Sequence, residues 1–460
     1  MKIVFITPSA SIRKTFFYRV GNRLYTRPSV ITGPLILATI LKRQGHDACV
    51  YEELFSNIDP FKAARDADIV CLSAMSSTAD RTYELADRFR AEGKRVVIGG
   101  IHPSGVPEEA ILHADTVVVG EGERAILDIV EKGLNGIIHG ETPANLDTIP
   151  FPDYSLLKTP VKTANILTTR GCHFRCDFCS TSRMFMPYRE RSPENVIEEL
   201  RYYKKLGFKY VSFQDDNFTG NRERAKEILA RVVKENLVFR SGFFFGRADL
   251  ARDEELLDLL NRAHFNSVLI GFESLNKTAR DSINKKLDLD SLREYLPNLE
   301  KHHIRVIASF VLGLDADTKE DFKNDVEFSH SIHAYKYQPA VLTPFPGTLT
   351  TATLQKENRI LIKDWQYYDM MHAVFRPALM SPQELQQEFY RSVTKFYSFR
   401  SAVDTFKHYG PLWGTGKLML WITLSFIRLI SPLIDRQYFK KLKAVEHRID
   451  PEARLSGYNR

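Results

Sequence analysis

Short apolar runs recur through the first 145 or so residues, at 3–7, 47–51, 69–74, 95–98 and 116–119, each continuous rather than alternating in its hydrophobic character. Runs of that length and composition fit strands buried on both faces. Stretches with apolar residues at helical spacing, 34–44, 79–92 and 123–132, separate them. Strands alternating with helices predict a parallel, doubly wound α/β sheet. Ligands of such sheets lie outside the carboxyl ends of the strands, which places Thr7, Pro8, Ser73, Ala74, Gly99, Gly100, His102, Glu121 and Gly122 on the binding rim. Glycine there lets backbone approach a flat ligand closely, although such glycines also serve tight turns.

The segment 141–162 is rich in Pro and Asp and has no periodicity, so it reads as a linker. A second alternating series follows. Strands are predicted at 164–169, 210–214, 242–246, 267–272, 305–311 and 339–343, and helices at 193–206, 222–235, 254–263, 289–302 and 319–331. Active sites of parallel barrels collect at the carboxyl ends of the strands. Asp215, Asp216 and Asn217 follow the second strand of this series, Arg247 and Asp249 the third, and Glu273 and Ser274 the fourth. Some of these residues could equally cap the helices that follow. The segment Phe345-Pro-Gly-Thr348 is read as closing the mouth of this barrel.

Composition narrows the class. With 43% hydrophobic and 26% charged residues the chain is that of a folded globular protein. Its formal charge of +7 is modest, and no basic run interleaved with aromatics stands out, so nucleic acid is a poor expectation as partner. The start, Met-Lys-Ile-Val-Phe, reads as a strand and not as a secretory signal. Five cysteines, sparse and odd in number, argue against a disulfide framework and for a reducing, cytoplasmic setting.

Three of those cysteines, Cys172, Cys176 and Cys179, form a CxxxCxxC run where a predicted strand enters a loop. Three thiolates in one short loop can hold three corners of a cubane iron–sulfur cluster. A four-iron cluster ordinarily takes four thiolates, and the remaining Cys49 and Cys71 lie about a hundred positions upstream, which leaves one iron open. Zinc is the alternative, but His173 lies inside the loop and no second Cys or His pair follows at zinc-finger spacing.

The triplet, with Phe178 between its last two cysteines, resembles the signature of the radical S-adenosylmethionine (SAM) superfamily. The resemblance implies a partial (β/α)6 barrel, a 4Fe-4S cluster whose open iron chelates SAM, reductive cleavage to a 5′-deoxyadenosyl radical, and an electron donor such as flavodoxin or ferredoxin. It assigns the segment Asp215-Asp216-Asn217 to the SAM amino group and makes Arg247 and Glu273 candidates for its carboxylate and ribose, roles that suit their donor and acceptor chemistry. Upstream, Gly99-Gly100-x-His102-Pro and Val118-Val119-Gly120-Glu121-Gly122-Glu123 resemble the cobalamin-binding domain that precedes many such barrels. One departure stands out: the Asp-x-His-x-x-Gly motif that supplies a histidine below cobalt is missing after the first strand, and His102-x-x-Gly105 repeats only half of it after the fourth. Cobalamin is therefore expected without a histidine lower ligand; the alternative is a domain of this fold that has lost the cofactor.

The implied organisation is a cobalamin-binding-like domain (1–140), a linker (141–162), a radical SAM barrel (163–350) and a helical C-terminal extension (351–460). The implied activity is methyl transfer to an unactivated carbon of a hydrophobic or lipid-like substrate. Alternatives are radical oxidation, cyclisation or carbon–carbon coupling on a lipid, isoprenoid or tetrapyrrole, and a non-catalytic iron–sulfur or cobalamin sensor. In the extension, 417–435 reads as an amphipathic helix with Lys417, Arg428, Ser431 and Asp435 on one side. Arg428 disfavours a spanning helix, whereas an interfacial one, flanked by Arg436, Lys440, Lys441 and Lys443, fits peripheral contact with the inner face of a membrane. A helix buried against the barrel is the other reading.

Overall fold

Buried Val, Ile and Leu build the first sheet. In the computed structural model, which describes residues 1–10, 30–56 and 58–449, strands β1 (Lys2–Thr7), β2 (Asp47–Glu52), β3 (Ile69–Ser73), β4 (Arg95–Gly99), β5 (Thr116–Val119) and β6 (Gly136–His139) pair in the order β2-β1-β3-β4-β5-β6. Every pairing is parallel. Helices α1 (Thr32–Arg43), α2 (Ala79–Ala91), the short α3 (Ile101–Gly105) and α4 (Ala125–Lys132) connect them. Ile3, Phe5, Leu35, Leu41, Val50, Ile69, Ile126 and Ile129 form one buried cluster. Cys71 belongs to it and Cys49 is also buried, and burial pushes the Cys71 thiol up to about 12. Strand β6 was not foreseen in the sequence. Its residues alternate between half-buried and exposed, so it carries no continuous apolar run.

A second sheet takes up the later strands β7 (Thr163–Ile166), β10 (Tyr210–Phe213), β11 (Ser241–Gly246), β12 (Ser267–Glu273), β13 (Arg305–Leu312) and β14 (Lys336–Val341); β8 (Thr169–Arg170) and β9 (Arg189–Glu190) make a separate antiparallel ribbon. The residues form two units. The first holds Met1–Gly271, Asp288–Val306 and Phe345–Thr348, and the second holds Phe272–Leu287, Ile307–Pro344 and the chain from Leu349 onward. In the first, β7, β10, β11 and the start of β12 pair in parallel under α5 (Pro193–Lys205), α6 (Arg222–Lys234) and α7 (Glu254–Arg262). Helix α7 buries Leu256, Leu257 and Leu260 on one face, each worth about 1.5–3 kcal/mol relative to an exposed side chain.

Two expected elements differ. The helix expected at 289–302 is broken into a 3-10 turn, Asp290–Leu292, and a short helix, Pro297–Lys301, because Pro297 lacks the amide hydrogen a continuous helix needs at that point. The strand expected at 339–343 starts earlier and carries Pro339 within it, which is tolerated on the strand that ends the sheet order. The segment Phe345–Thr348 packs on the first domain: a Cβ at Gly105 would lie 2.6 Å from Pro346 Cβ.

In the second unit, β13 and β14 pair in parallel, and α8 (Lys319–Ser331), α9 (Pro382–Phe396), α10 (Phe399–Tyr409), α11 (Pro411–Ile434) and α12 (Arg436–Ile449) follow. A capping box starts α9, Ser381 Oγ accepting from Glu384 N at 3.1 Å while Glu384 returns a carboxylate to Ser381 N at 2.8 Å. Gly414 lets α11 lie tight on α10, since a Cβ there would sit 2.6 Å from Phe406 Cβ. In this packing Lys417, one of the residues expected on the polar side of the tail helix, is buried, its ammonium 4.2 Å from the Phe396 ring, whereas Leu412, Met419 and Ile422 are 74%, 51% and 56% exposed. Among the described residues no helix is long and apolar enough to cross a membrane.

Candidate functional site

Gly171 opens the cysteine loop with φ +82°, and a Cβ there would collide with the Phe185 carbonyl, so the turn out of β8 requires glycine. The loop is closed on itself: Cys179 N donates to the Cys176 carbonyl at 3.2 Å, and Ser182 Oγ donates to the Cys179 carbonyl at 3.0 Å. Cys176 is buried, Cys172 and Cys179 are half-buried, and all three are free thiols. Cys179 Sγ lies 3.1 Å from Thr181 Oγ1. Burial pushes the Cys172 thiol up; Asp216 and Cys179 add to the rise, while the Phe174 amide and Arg247 act against it. Those influences put Asp216 and Arg247 beside the loop. The Arg247 guanidinium stacks 3.7 Å from the centre of the Phe174 ring, and Phe178 is half-buried.

Asp215 does something different from its exposed neighbour. Fully buried, its carboxylate accepts hydrogen bonds from Thr168 N and Thr169 N, both at 2.6 Å, and from Thr168 Oγ1 at 2.8 Å. Burial pushes it up to about 6 against those bonds. It pins the approach to the cysteine loop, helped by Arg224, which donates to the Thr168 and Arg191 carbonyls at 3.0 and 2.9 Å. Asn217 is buried two residues on. In the second unit, Glu273 sits at φ +66° with its carboxylate accepting from Lys285 Nζ at 2.6 Å.

A cavity of about 430 Å³ opens at the carboxyl ends of β1, β2 and β3. This is where the strand order reverses between β1 and β3, the place where open α/β sheets bind ligands. Thr7, Ser9, Glu52, Thr78, Asn165 and Gln214 give it polar groups; Val30, Ile31, Leu54, Phe55, Met75 and Leu167 give it apolar ones. Glu52 accepts from Ile31 N at 3.0 Å and Thr7 Oγ1 at 3.3 Å, and burial pushes it up to about 7. Asn165 donates to the Val30 carbonyl at 2.7 Å while its own buried amide oxygen has no hydrogen-bond partner. Asn165 lies on β7, Leu167 directly follows it and Gln214 directly follows β10, so this wall of the cavity continues through Leu167 toward the cysteine loop.

Of the rim residues named from sequence, Thr7 and Pro8 line this cavity; Ser73, Ala74, Gly99, Gly100, His102, Glu121 and Gly122 are not part of its lining. Gly100, at φ +114°, lets the chain after β4 pass the Ala74 carbonyl, 2.6 Å from where its Cβ would stand. His102 is fully buried, Nε2 3.0 Å from Tyr83 Oη and Nδ1 3.2 Å from Ser76 Oγ, and burial pushes it down to about 4. Glu121 is buried in ion pairs to Arg170 and Arg189, and Glu123 meets Arg170 at 2.5 Å. Glu52, Asn165 and Gln214 carry no motif; only their positions at strand ends could have flagged them.

The three thiols suit a 4Fe-4S cluster with one open iron. The cavity suits a large amphipathic ring system, and no histidine stands in its lining among the described residues.

Residues 166–329 match the radical SAM superfamily model and residues 32–130 match the B12 binding domain model. The chain is 28% identical over 457 residues to bacteriochlorophyllide d C-8(2)-methyltransferase of Chlorobaculum tepidum, spanning 92% of this chain and 95% of that one. It is 29% identical to the C-12(1)-methyltransferase of the same organism over 72% and 75% of the two chains. An anaerobic magnesium-protoporphyrin IX monomethyl ester cyclase of Rubrivivax gelatinosus is 25% identical over 78% and 72%. In fold the chain is similar to the radical SAM methyltransferase TsrM of Kitasatospora setae with cobalamin and a [4Fe-4S] cluster bound, at TM-score 0.67 and 14% identity, covering 94% of this chain and 100% of that one.

Proposed function

Because this chain is a radical SAM enzyme with an N-terminal cobalamin-binding domain, whose cofactors are a 4Fe-4S cluster, SAM and cobalamin, we propose that it transfers a methyl group to an unactivated carbon of a hydrophobic, tetrapyrrole-like or lipid-like substrate. The observation that carries this reading is the shared wall: Asn165 on β7, Leu167 just after it and Gln214 just after β10 all line the cavity of the first domain, and the chain from Asn165 through Leu167 runs on into the cysteine loop. When bound, the cofactors supply a one-electron cleavage of SAM and a carrier for its methyl group.

The chain's own residues position and shield. Cys172, Cys176 and Cys179 would hold the cluster. Asp215 and Arg224 fix the backbone that presents those thiols. Asp216 and Arg247 stand beside Cys172, where a carboxylate and a guanidinium suit the ammonium and carboxylate of an amino acid moiety. Thr7, Glu52, Asn165 and Gln214 offer the polar contacts of the cobalamin pocket, with Leu54, Phe55 and Leu167 covering its apolar surface.

Anaerobic incubation of the reconstituted protein with reductant, trideuteromethyl SAM and either bacteriochlorophyllide d or a hopanoid-containing lipid extract tests the reading. A product carrying one trideuteromethyl group is expected, together with 5′-deoxyadenosine. Product that has lost hydrogens and carries no label would replace methyl transfer by oxidation or cyclisation, the second reading that the likeness to the cyclase favours. Cys176→Ala should abolish cluster absorbance and 5′-deoxyadenosine together.

We infer as well that α10 and α11 rest on an anionic bilayer. Phe399, Val403 and Phe406 form one exposed stripe of α10, Leu412, Met419 and Ile422 are exposed on α11, and α10 exposes two cations, Arg400 and Lys407, against one anion, Asp404, whose side chain is 42% exposed. Vesicles of phosphatidylglycerol and phosphatidylcholine should carry the protein in flotation. Val403→Glu with Met419→Glu should leave it at the bottom of the gradient, and flotation unaffected by that pair would refute the surface.

A further inference from the structure

Two arginines bracket the cysteine loop. Arg170 ends β8 just before Gly171, Arg189 begins β9 just after the loop returns, and the two are opposite one another in the antiparallel ribbon. Both guanidiniums converge on one carboxylate, that of Glu121, which lies far upstream in the loop after β5. Arg189 Nη1 adds a second contact to Glu121 at 3.3 Å and donates to the Pro143 carbonyl at 2.8 Å, while Arg170 takes Glu123 as its other anion. The cluster is dry: side-chain exposure is 1% for Glu121, 7% for Arg189 and 12% for Arg170.

Glu121 is itself held from behind. A Cβ at Gly140 would collide with the Glu121 carbonyl, so the chain leaving β6 presses on it and can do so only as glycine. On the other side, Gly120 N donates to Ser104 Oγ at 2.9 Å, and Ser104 Oγ donates to the Gly100 carbonyl at 2.8 Å. An unbroken set of contacts therefore joins the rim of the first sheet, at Gly100 and Gly120, to the two ends of the cysteine loop.

We propose that Glu121 is a positioning residue for the iron–sulfur cluster: by clamping Arg170 and Arg189 it fixes the span of the ribbon from which the three cysteines project, and it makes the geometry of the cluster site depend on the first domain. The proposal departs from a role in contacting cobalamin, because both carboxylate oxygens of Glu121 are already taken by guanidiniums. A carboxylate flanked by two guanidiniums is geometrically specific, since the planar fork of arginine sets direction as well as distance. Substituting lysine keeps the charge and loses the fork.

The test uses the full chain, anaerobically reconstituted with iron and sulfide and loaded with hydroxocobalamin. Its readouts are the EPR spectrum of the reduced cluster with and without SAM, the cluster midpoint potential, and the affinity for hydroxocobalamin by equilibrium dialysis. Glu121→Gln should alter the EPR line shape and weaken SAM binding by tenfold or more while leaving hydroxocobalamin affinity within twofold of the parent. Glu121→Asp should restore the spectrum in part. Arg170→Lys decides the matter if Glu121→Gln does not fold, as judged by circular dichroism; it should fold and still change the spectrum. Unchanged EPR and potential in folded Glu121→Gln or, failing that, in Arg170→Lys would overturn the proposal. So would a Glu121→Gln protein that loses hydroxocobalamin affinity and keeps the parent spectrum, which would return Glu121 to the cofactor.

Discussion

Arg170 and Arg189 are buried beside carboxylates, and Lys417 is buried beside a ring. In the first setting burial would lower the Arg170 value, but Glu123 and Glu121 outweigh it and hold the guanidinium above its ordinary range. In the second, burial dominates, the more distant attraction of Asp404 does not offset it, and Lys417 falls to about 7 from an ordinary 10.5. Loss of water thus yields opposite titration, depending on whether an anion is buried along with the cation. The difference also separates two kinds of use. A fully paired cation can fix a geometry; one resting on Phe396 leaves its helix destabilised whenever it is charged.

The sharpest break of this contrast is removal of the shared anion. Glu121→Leu leaves the buried Arg189 without its carboxylate and Arg170 with Glu123 alone, and should lower unfolding stability by about 3–5 kcal/mol, read as a drop in the urea midpoint. Removing the unpaired cation should do the reverse: Lys417→Met is expected to stabilise the protein by about 2 kcal/mol below pH 7.

The pH dependence follows from the same comparison. For Lys417 the folded value lies below the unfolded one, so between about 7 and 10.5 the unfolded chain binds the extra proton and stability rises with pH. His372 in the same unit has the opposite sign. Burial would lower it, but Asp369 at 3.0 Å and Asp435 at 3.7 Å hold it up to about 9, above an ordinary 6.5. Its contribution is complete below about 6.5 and is lost as pH rises through about 9. The two oppose one another between 7 and 9, so the parent's stability should be nearly level there. Lys417→Met should expose an alkaline decline through pH 9, and urea midpoints measured at half-unit pH intervals would show it. The smallest expected effect is the ring contact itself: Phe396→Leu, compared in the parent and Lys417→Met backgrounds at pH 6, should show a coupling of about 0.5–1 kcal/mol.

Periodicity and spacing carried the reading far in some places and stopped in others for physical reasons. Strands such as β1, β3 and β5 are legible because both faces are buried and the run is unbroken, whereas β6, with alternate residues exposed, leaves no such trace. The cysteine triplet is legible because its chemistry is local. Glu52, Asn165 and Gln214 meet only through the fold, from the ends of three strands 113 and 49 positions apart in sequence, and no local pattern announces that convergence. Glu121 stood out on the rim, yet its partners Arg170 and Arg189 are 49 and 68 positions away. For the tail, the helix was evident but its facing was not: a helical wheel separates polar from apolar sides without saying which one meets a neighbour, and here Gly414 seats α11 so that Lys417 turns inward.

The placement of Glu121 on one side of residue 140 and of its arginines on the other bears on how such proteins can be recombined. A chimaera that imports residues 1–140 from a relative must import a carboxylate at this point, and a glycine at 140 behind it, or the resident barrel would keep Arg189 with no carboxylate and Arg170 dependent on a carboxylate at 123. Domain exchange here is governed by the charge match of Glu121 and Glu123 with Arg170 and Arg189, so successful hybrids should be sortable by that match before any is expressed.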